Sequence, residues 1–340
     1  MPKPIDTEAF TAQMRAKIVR PASGEILISR LAGSDQQADL TVPPNCDGLG
    51  RVRHFRRATP AGWPQNPLPI DPAARALGQA PGDMVRAQVF QNAACGWRCW
   101  YCFVPFAMLT GNAANGAWRT AEQLVSLYAA EADRPEVIDL SGGSPDLTPE
   151  WIVWMMDALE AAGLAEATYL WSDDNLSTDY VFTKLSDAQR ERLTAYRNYG
   201  RVCCFKGFDA ASFAFNTTAQ PEDYDAQFER FGRYLDLGLD LYGYVTLTGP
   251  DVAAAARGVP TLLDRLQSLD PNLPLRVIPL EIGNFSPTRE RDARGGQARF
   301  EAAAPVQEAA IAIWMNELER RYPAGQRARA VVDVPLRARP

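Results

Sequence analysis

From residue 84 onward, the chain alternates short apolar runs with longer amphipathic segments of helical period. The strand-like runs are Met84–Gln91, Val137–Leu140, Thr168–Trp171, Val202–Phe205, Leu241–Leu247 and Leu275–Pro279. Strands that alternate with helices form a parallel sheet with helical crossovers. We therefore expect an α/β fold, a partial (β/α)6 TIM-like barrel, with a doubly wound open sheet as the alternative. In either fold, functional groups gather at the carboxyl ends of the strands.

The segments between these runs carry helix-boundary signals. Thr120 is followed three residues later by Gln123, and Ser186 by Gln189, and both pairs are typical of a capping box at a helix start. Gly238 closes an amphipathic segment, as glycine often does at the carboxyl end of a helix. These signals place helices between the predicted strands.

Three parts are predicted along the chain. Residues 1–82 are rich in Pro and Arg and form an N-terminal extension, which we expect to pack over the main domain, with disorder as the alternative. Residues 83–285 form the barrel core. Residues 286–340 contain a last amphipathic helix, about Val306 to Arg321, and a basic tail.

Composition narrows the class of protein. The 340 residues are 46% hydrophobic and 22% charged, as in ordinary globular domains. A net charge of −6 argues against tight binding along a nucleic-acid backbone. The chain has no run of eighteen apolar residues, so no membrane span is predicted, and its start has no secretory signal pattern. We expect a cytoplasmic protein.

Basic residues are concentrated in two places. One group contains Arg51, Arg53, Arg56 and Arg57, and the other is the tail from 327 to 339. Both are typical of a solvated surface, although either could hold an anionic substrate.

The cysteines carry the sharpest motif. The chain has six Cys and one His, which excludes a zinc site that needs several His. Cys95, Cys99 and Cys102 form a C-x3-C-x2-C pattern directly after the first strand of the repeat. Three thiolates on one loop can ligate three irons of a cubane cluster, which leaves the fourth iron open for a small chelating cofactor. A zinc site short of one ligand is the alternative.

This motif, with Tyr101 before its last Cys, resembles the signature of the radical S-adenosylmethionine superfamily. The resemblance covers roughly residues 84–280. It implies a [4Fe-4S] cluster held by the three Cys and S-adenosylmethionine as cofactor. It also implies an enzyme in which a reduced cluster cleaves the cofactor to methionine and a 5′-deoxyadenosyl radical. That radical abstracts hydrogen from a substrate.

The second strand ends in Ser141-Gly142-Gly143-Ser144-Pro145, which is similar to the family's glycine motif for the methionine amino group. Glycines let backbone carbonyls approach a ligand closely. Ser144 stands where the family usually has an acidic residue. The alternative for this segment is an ordinary turn.

Two further strand ends are candidates for the cofactor pocket. The third strand runs into Ser172 and Asp174, which suit ribose hydroxyls and the cofactor's amino acid portion, with a capping turn as the alternative. The fourth ends in Phe205-Lys206-Gly207-Phe208-Asp209, which resembles the activase-like branch of the family. Lys206 is one of four lysines among 35 basic residues. We assign it a catalytic and cofactor-binding role, opposite a cofactor or substrate anion, with a surface lysine as the alternative.

The remaining cysteines are predicted to be structural. Cys203 and Cys204 are adjacent on a strand, so their side chains point to opposite faces and cannot share a cluster. Cys46 with His54 is weak as a metal pair. Nothing in the sequence resembles an auxiliary-cluster segment.

The resemblance implies partners as well as chemistry. A small flavodoxin or ferredoxin would deliver the electron, and the substrate is either a small molecule or a partner protein. One alternative is an activase that acts on a glycyl-radical enzyme. Another, from a different class, is an iron–sulfur electron carrier or regulator without radical chemistry, which needs no cofactor pocket.

Overall fold

The computed structural model describes residues 3–295 and 298–336. Within them, the strands are β1 (Val19–Arg20), β2 (Glu25–Ser29), β3 (Gly50–Arg56), β4 (Met84–Gln91), β5 (Gly116–Thr120), β6 (Val137–Ser141), β7 (Tyr169–Asp174), β8 (Tyr199–Lys206), β9 (Leu241–Thr246) and β10 (Val277–Pro279). The α-helices of the same part are α1 (Thr7–Ile18), α2 (Ile70–Ala76), α3 (Ala121–Ala130), α4 (Pro149–Ala161), α5 (Tyr180–Thr183), α6 (Asp187–Ala195), α7 (Ala210–Thr217), α8 (Ala226–Leu237), α9 (Val252–Leu269), α10 (Ser286–Gly295), α11 (Arg299–Arg321) and α12 (Ala324–Arg327).

The strands of the main sheet lie side by side in the order in which they occur along the chain, from β3 at one edge to β10 at the other. Its seven strands have the order β10-β9-β8-β7-β6-β4-β3, without the reversal that marks a doubly wound sheet. Neighbouring strands from β4 to β10 are parallel, and β3 is antiparallel to β4. A separate small sheet, β1-β2-β5, is antiparallel.

The two faces of the main sheet differ in what covers them. On the convex face, alternate strand residues such as Leu140, Leu170 and Phe205 pack with residues of α3, α4, α8, α9 and α11 in one large core. On the concave face, Val137, Trp171 and their counterparts on the other strands pack mainly against one another in a second core. This second core also includes Ile70 and Ala73 of α2. The longer helices α3, α4, α8, α9 and α11 pack on the other face of the curled sheet, so the predicted partial TIM-like barrel is confirmed.

The helix-boundary predictions hold in detail. Thr120 with Gln123 and Ser186 with Gln189 each form a complete capping box, at the starts of α3 and α6. Gly238 ends α8 in the left-handed region, with φ of 85°. The last amphipathic helix is longer than expected, because α11 begins at Arg299 rather than near Val306.

The N-terminal segment forms part of the main sheet. Its strand β3 adds to the edge of the main sheet, which sequence periodicity did not indicate. The segment after β3 also closes the side of the barrel, where Tyr244 of β9 donates a hydrogen bond to the Leu68 carbonyl (3.2 Å). From the other end of the chain, the Val334 carbonyl accepts a hydrogen bond from Arg276 (2.9 Å). Positions 337–340 of the basic tail lie outside the described residues.

Across the part of the chain that the structure describes, no helix is both long enough and apolar enough to span a bilayer.

Candidate functional site

The cysteine loop follows β4 and lies at the carboxyl end of the parallel strands. Cys95 is buried, while Cys99 and Cys102 are half-buried. The loop backbone is tied to the end of α7, where the Arg98 and Trp100 amides donate to the carbonyls of Thr217 (3.1 Å) and Asn216 (3.2 Å). The predicted ligand loop is therefore an ordered part of the barrel mouth.

Two arginines hold the carbonyl groups of this loop. Within it, the Arg98 guanidinium donates to the carbonyls of Cys95 (2.9 Å), Trp97 (2.8 Å) and Leu109 (3.0 Å). From α10, Arg291 donates to three more loop carbonyls, those of Trp100 (3.2 Å), Val104 (3.4 Å) and Cys102. Such charge-assisted contacts fix the loop's path, and with it the direction in which the thiols point.

The glycine segment after β6 packs directly against the cysteine loop. Ser144 is fully buried, and its amide donates to the Ala94 carbonyl and to Asn92 Oδ1, both at 2.9 Å. Its hydroxyl accepts a bond from Asn175 Nδ2 (2.8 Å) and lies 3.6 Å from Cys95 Sγ, which donates to it. Ser144 thus connects β6, β7 and the first cysteine.

The two glycines permit this close approach. A side-chain carbon at Gly143 would lie 1.9 Å from Asn92 Oδ1 and 2.5 Å from the Ala94 carbonyl oxygen. Gly142 has φ of 86°, a left-handed conformation that favours glycine, and a Cβ there would meet the Gln91 side chain at 2.6 Å. A larger residue at position 143 would therefore displace the cysteine loop itself.

Tyr101 of the cysteine loop and Lys206 at the end of β8 lie close to each other. Tyr101 is buried and donates to Thr246 Oγ1 at the end of β9 (3.2 Å). The Lys206 side chain, only 6% exposed, lies at the end of β8 with its charge near Tyr101, Cys99 and Cys95. Burial lowers the pKa of Lys206, but these neighbours outweigh it and raise the pKa above its ordinary value. The lysine is therefore a buried cation beside the thiols rather than a surface residue.

Burial sets the protonation of the thiols. It raises the pKa of Cys99 to about 12 against an opposing effect of Lys206, and it raises the pKa of Cys102 as well. Metal binding requires thiolates, so it must displace these protons.

In residues 3–295 and 298–336, no three His, Cys, Asp or Glu side chains converge on a point that would hold a single metal ion. A cubane cluster has a different requirement, because each cysteine binds its own iron.

Ser172 and Asp174 lie on the other face of β7. Ser172 Oγ bonds the Tyr199 hydroxyl (2.8 Å), and Asp174 pairs with Arg201 (2.9 Å), both partners being on the helix side of β8. Burial raises the pKa of Asp174 to about 6, although Arg201 opposes the shift. The structure does not bring these two residues to the cysteine loop. Asp173, between them, faces the interior.

The other cysteines have the positions expected of structural thiols. Cys203 belongs to the helix-side core and Cys204 to the interior core, so adjacent residues on β8 point to opposite faces as predicted. Cys46 is buried, and its amide donates to Glu131 Oε1 (2.8 Å).

Sequence reasoning missed four residues that shape the site. They are Asn92, Arg98, Asn175 and Arg291, whose roles depend on contacts between distant segments. Arg98 lies inside the motif, and Asn92 and Asn175 each follow directly after a strand, so these three had positions that could have signalled a role.

No protein-family model matches this chain, and no curated protein matches it. Among solved structures, a similar one is the crystal structure of SuiB from Streptococcus suis bound to the precursor peptide SuiA. The alignment has 14% sequence identity and a TM-score of 0.37, and it covers 53% of this chain but 36% of the SuiB chain. A likeness this low carries no functional argument, so the proposals below depend on the chain's own residues.

The contacts of Arg291 give a first prediction. We expect Arg291→Leu to leave three loop carbonyls without their charged donor, each such bond contributing about 1.5–3 kcal/mol. After anaerobic reconstitution with iron and sulfide, the variant should lose bound iron about tenfold faster or more on exposure to a chelator. The control is Arg294→Leu on the same helix, whose side chain is 76% exposed. Equal iron loss in both variants would remove Arg291 from the support of the loop.

Proposed function

We propose that the protein is a radical S-adenosylmethionine enzyme. The observation that carries the proposal is the C-x3-C-x2-C loop at the mouth of a partial barrel, packed against a glycine strand end and a buried lysine. Cys95, Cys99 and Cys102 would hold a [4Fe-4S] cluster. When bound, the cluster and S-adenosylmethionine supply a one-electron reductive cleavage, which yields methionine and a 5′-deoxyadenosyl radical that takes hydrogen from the substrate.

The chain's own residues would bind and orient this cofactor. The backbone of Gly142 and Gly143, with Ser144, would lie beside its methionine portion. Tyr101 would form part of the wall of the pocket, and the ammonium of Lys206 would neutralise a carboxylate. Ser172 and Asp174, which the sequence assigned to the cofactor pocket, bond Tyr199 and Arg201 on the helix side of the sheet, and these contacts favour a structural role for both.

The branch of the family, the substrate and the electron donor are proposals as well. The Lys206 segment supports an activase-like enzyme, and a partner protein or a small molecule remains open as substrate. The electron donor would be of flavodoxin or ferredoxin type. An iron–sulfur carrier without radical chemistry has no need of a buried lysine beside the cysteines.

The test is anaerobic turnover of reconstituted protein with S-adenosylmethionine and dithionite, assayed for 5′-deoxyadenosine. Formation of 5′-deoxyadenosine that depends on all three cysteines would support the proposal. The contrary result is a protein that binds about four irons but never cleaves the cofactor, and whose electron spin resonance spectrum does not change when the cofactor is added. Such a protein would be an electron carrier instead.

Lys206 supplies a second prediction. A charge-assisted contact is worth on the order of 1.5–3 kcal/mol, so Lys206→Met should weaken S-adenosylmethionine binding roughly ten- to a hundredfold. Iron content should not change. Calorimetric titration of the reconstituted protein measures this, with Lys184→Met as the control. Lys206→Arg should not restore the affinity, because the planar guanidinium needs different space. Full affinity in Lys206→Met would exclude the lysine from the cofactor pocket.

A further inference from the structure

The concave face of the half-barrel carries a group of aromatic rings and a group of charged side chains. The rings of Tyr169, Trp171 and Tyr242 pack with centroids 5.6–6.1 Å apart. The charged side chains lie beside them on the same face. Those whose charges interact there are Arg51, Arg53, Asp139, Asp173 and Lys206.

The register of the strands places these groups on one face. Arg51 of β3 is opposite Val89 of β4, and Val89 is beside Asp139 of β6. Directly paired residues share a face of a sheet. The extension strand β3 therefore contributes its arginines to the interior, close to the candidate cofactor site.

Arg51 has donors that the rest of the described chain does not satisfy. The residue is 8% exposed, and neither Nε nor Nη2 has a hydrogen-bond partner among the described residues. These two nitrogens form one edge of the guanidinium, the fork that matches an oxyanion. The same guanidinium lies 5.3 Å from the centroid of the Phe103 ring in the cysteine loop. Buried donors without partners are costly, so this edge is suited to a ligand.

The interior carboxylates do not accept hydrogen bonds from this edge of Arg51. Asp139 is fully buried, and in the described part of the chain neither of its oxygens accepts a hydrogen bond. Its nearest cation is Arg53 Nη1 at 3.9 Å, beyond hydrogen-bond distance. Asp173 accepts a hydrogen bond from Ser141 instead. The Arg51 edge therefore stays free although carboxylates are near.

The balance of charge favours an anion. Arg51 and Arg53 face Asp139 and Asp173, and burial raises the pKa of both carboxyls, so protonation of either carboxyl leaves the arginines in excess. Burial lowers the pKa of Arg51 to about 10, with Arg53 adding to the effect, so an incoming negative charge would be stabilising. The Arg53 side chain is 33% exposed.

We propose that Arg51, with Arg53 beside it, binds an oxyanion of the substrate, either a carboxylate or a phosphate, below the cysteine loop. The inference rests on the proposed function for the fate of that substrate. The binding itself needs no cluster. An anion held there by strand β3 would place the neighbouring part of the substrate toward the cofactor pocket.

The experiment titrates acetate and inorganic phosphate into the purified protein by calorimetry, at constant ionic strength with chloride as reference. It is done before and after cluster reconstitution. We expect saturable binding of at least one probe over chloride, weakened tenfold or more in Arg51→Gln and in Arg53→Gln. Arg51→Lys, which keeps the charge but loses the fork, should restore little. Arg56→Gln, at the exposed end of β3, should bind like the unaltered protein.

The probe that binds better identifies a carboxylate or a phosphate. Binding that is unchanged in Arg51→Gln or Arg51→Lys overturns the proposal, and so does loss of probe binding when S-adenosylmethionine is added, because the anion would then be the cofactor's. Arg51→Lys and Arg53→Gln decide the question if Arg51→Gln does not fold. Probe binding without 5′-deoxyadenosine formation would refute the proposed function and leave the subsite standing. Formation of 5′-deoxyadenosine without probe binding would refute the subsite and leave the proposed function standing.

Discussion

Replacement of Cys99 by serine is expected to abolish cluster assembly. The unaltered protein should hold about four irons and four sulfides after anaerobic reconstitution, and the variant close to none. In the proposed ligand set each of the three cysteines supplies one iron ligand, so no thiol can replace another. Cys95→Ser and Cys102→Ser should behave alike. Iron and sulfide analysis with the visible absorption spectrum measures the loss.

The control variants are Cys203→Ser and Cys204→Ser. Both thiols are buried, but one packs against the helices and the other faces the interior of the barrel. Cys204 is the stricter control, because it shares a face of β8 with Lys206, which lies beside the cysteine loop. Both variants should keep the full iron content. Loss of the cluster in Cys204→Ser, with the fold intact by circular dichroism, would show that the ligand set is not the one proposed.

The sequence predicted those features that depend on local pattern. The parallel strands, the capping boxes and the opposite faces of Cys203 and Cys204 all follow from residue period and hydrogen bonding within a few positions. The C-x3-C-x2-C loop was also located correctly, since the end of a strand in a parallel fold fixes where the next loop emerges.

Long-range contacts were not predictable in this way. Strand β3 joins the main sheet from a Pro- and Arg-rich segment, and its pairing with β4 depends on partners 28 to 40 residues away. The side of β7 that faces the interior was likewise missed. A shift of one residue exchanges the two faces, so Asp173 lies inside while Asp174 lies among the helices.

The position of Asp174 leads to the largest expected effect on stability. Asp174 and Arg201 are each 1% exposed on their side chains and form an ion pair at 2.9 Å. Asp174 also accepts a bond from the Leu176 amide (2.6 Å), and Arg201 donates to the Tyr199 hydroxyl (2.9 Å). Breaking a buried pair leaves an uncompensated charge, at a cost of about 3–5 kcal/mol.

We therefore expect Asp174→Ala to lower the free energy of unfolding by about 3–5 kcal/mol, seen as a lower urea midpoint. The double variant Asp174→Leu, Arg201→Met should recover most of that loss, since neither charge is then buried. Glu166→Ala, which removes an exposed partner of Arg197, should leave the midpoint unchanged. A stable Asp174→Ala protein with weakened S-adenosylmethionine binding would instead make Asp174 a cofactor contact. That result would require β7 to present its other face to the pocket, because Asp174 and Lys206 now lie on opposite faces of the sheet.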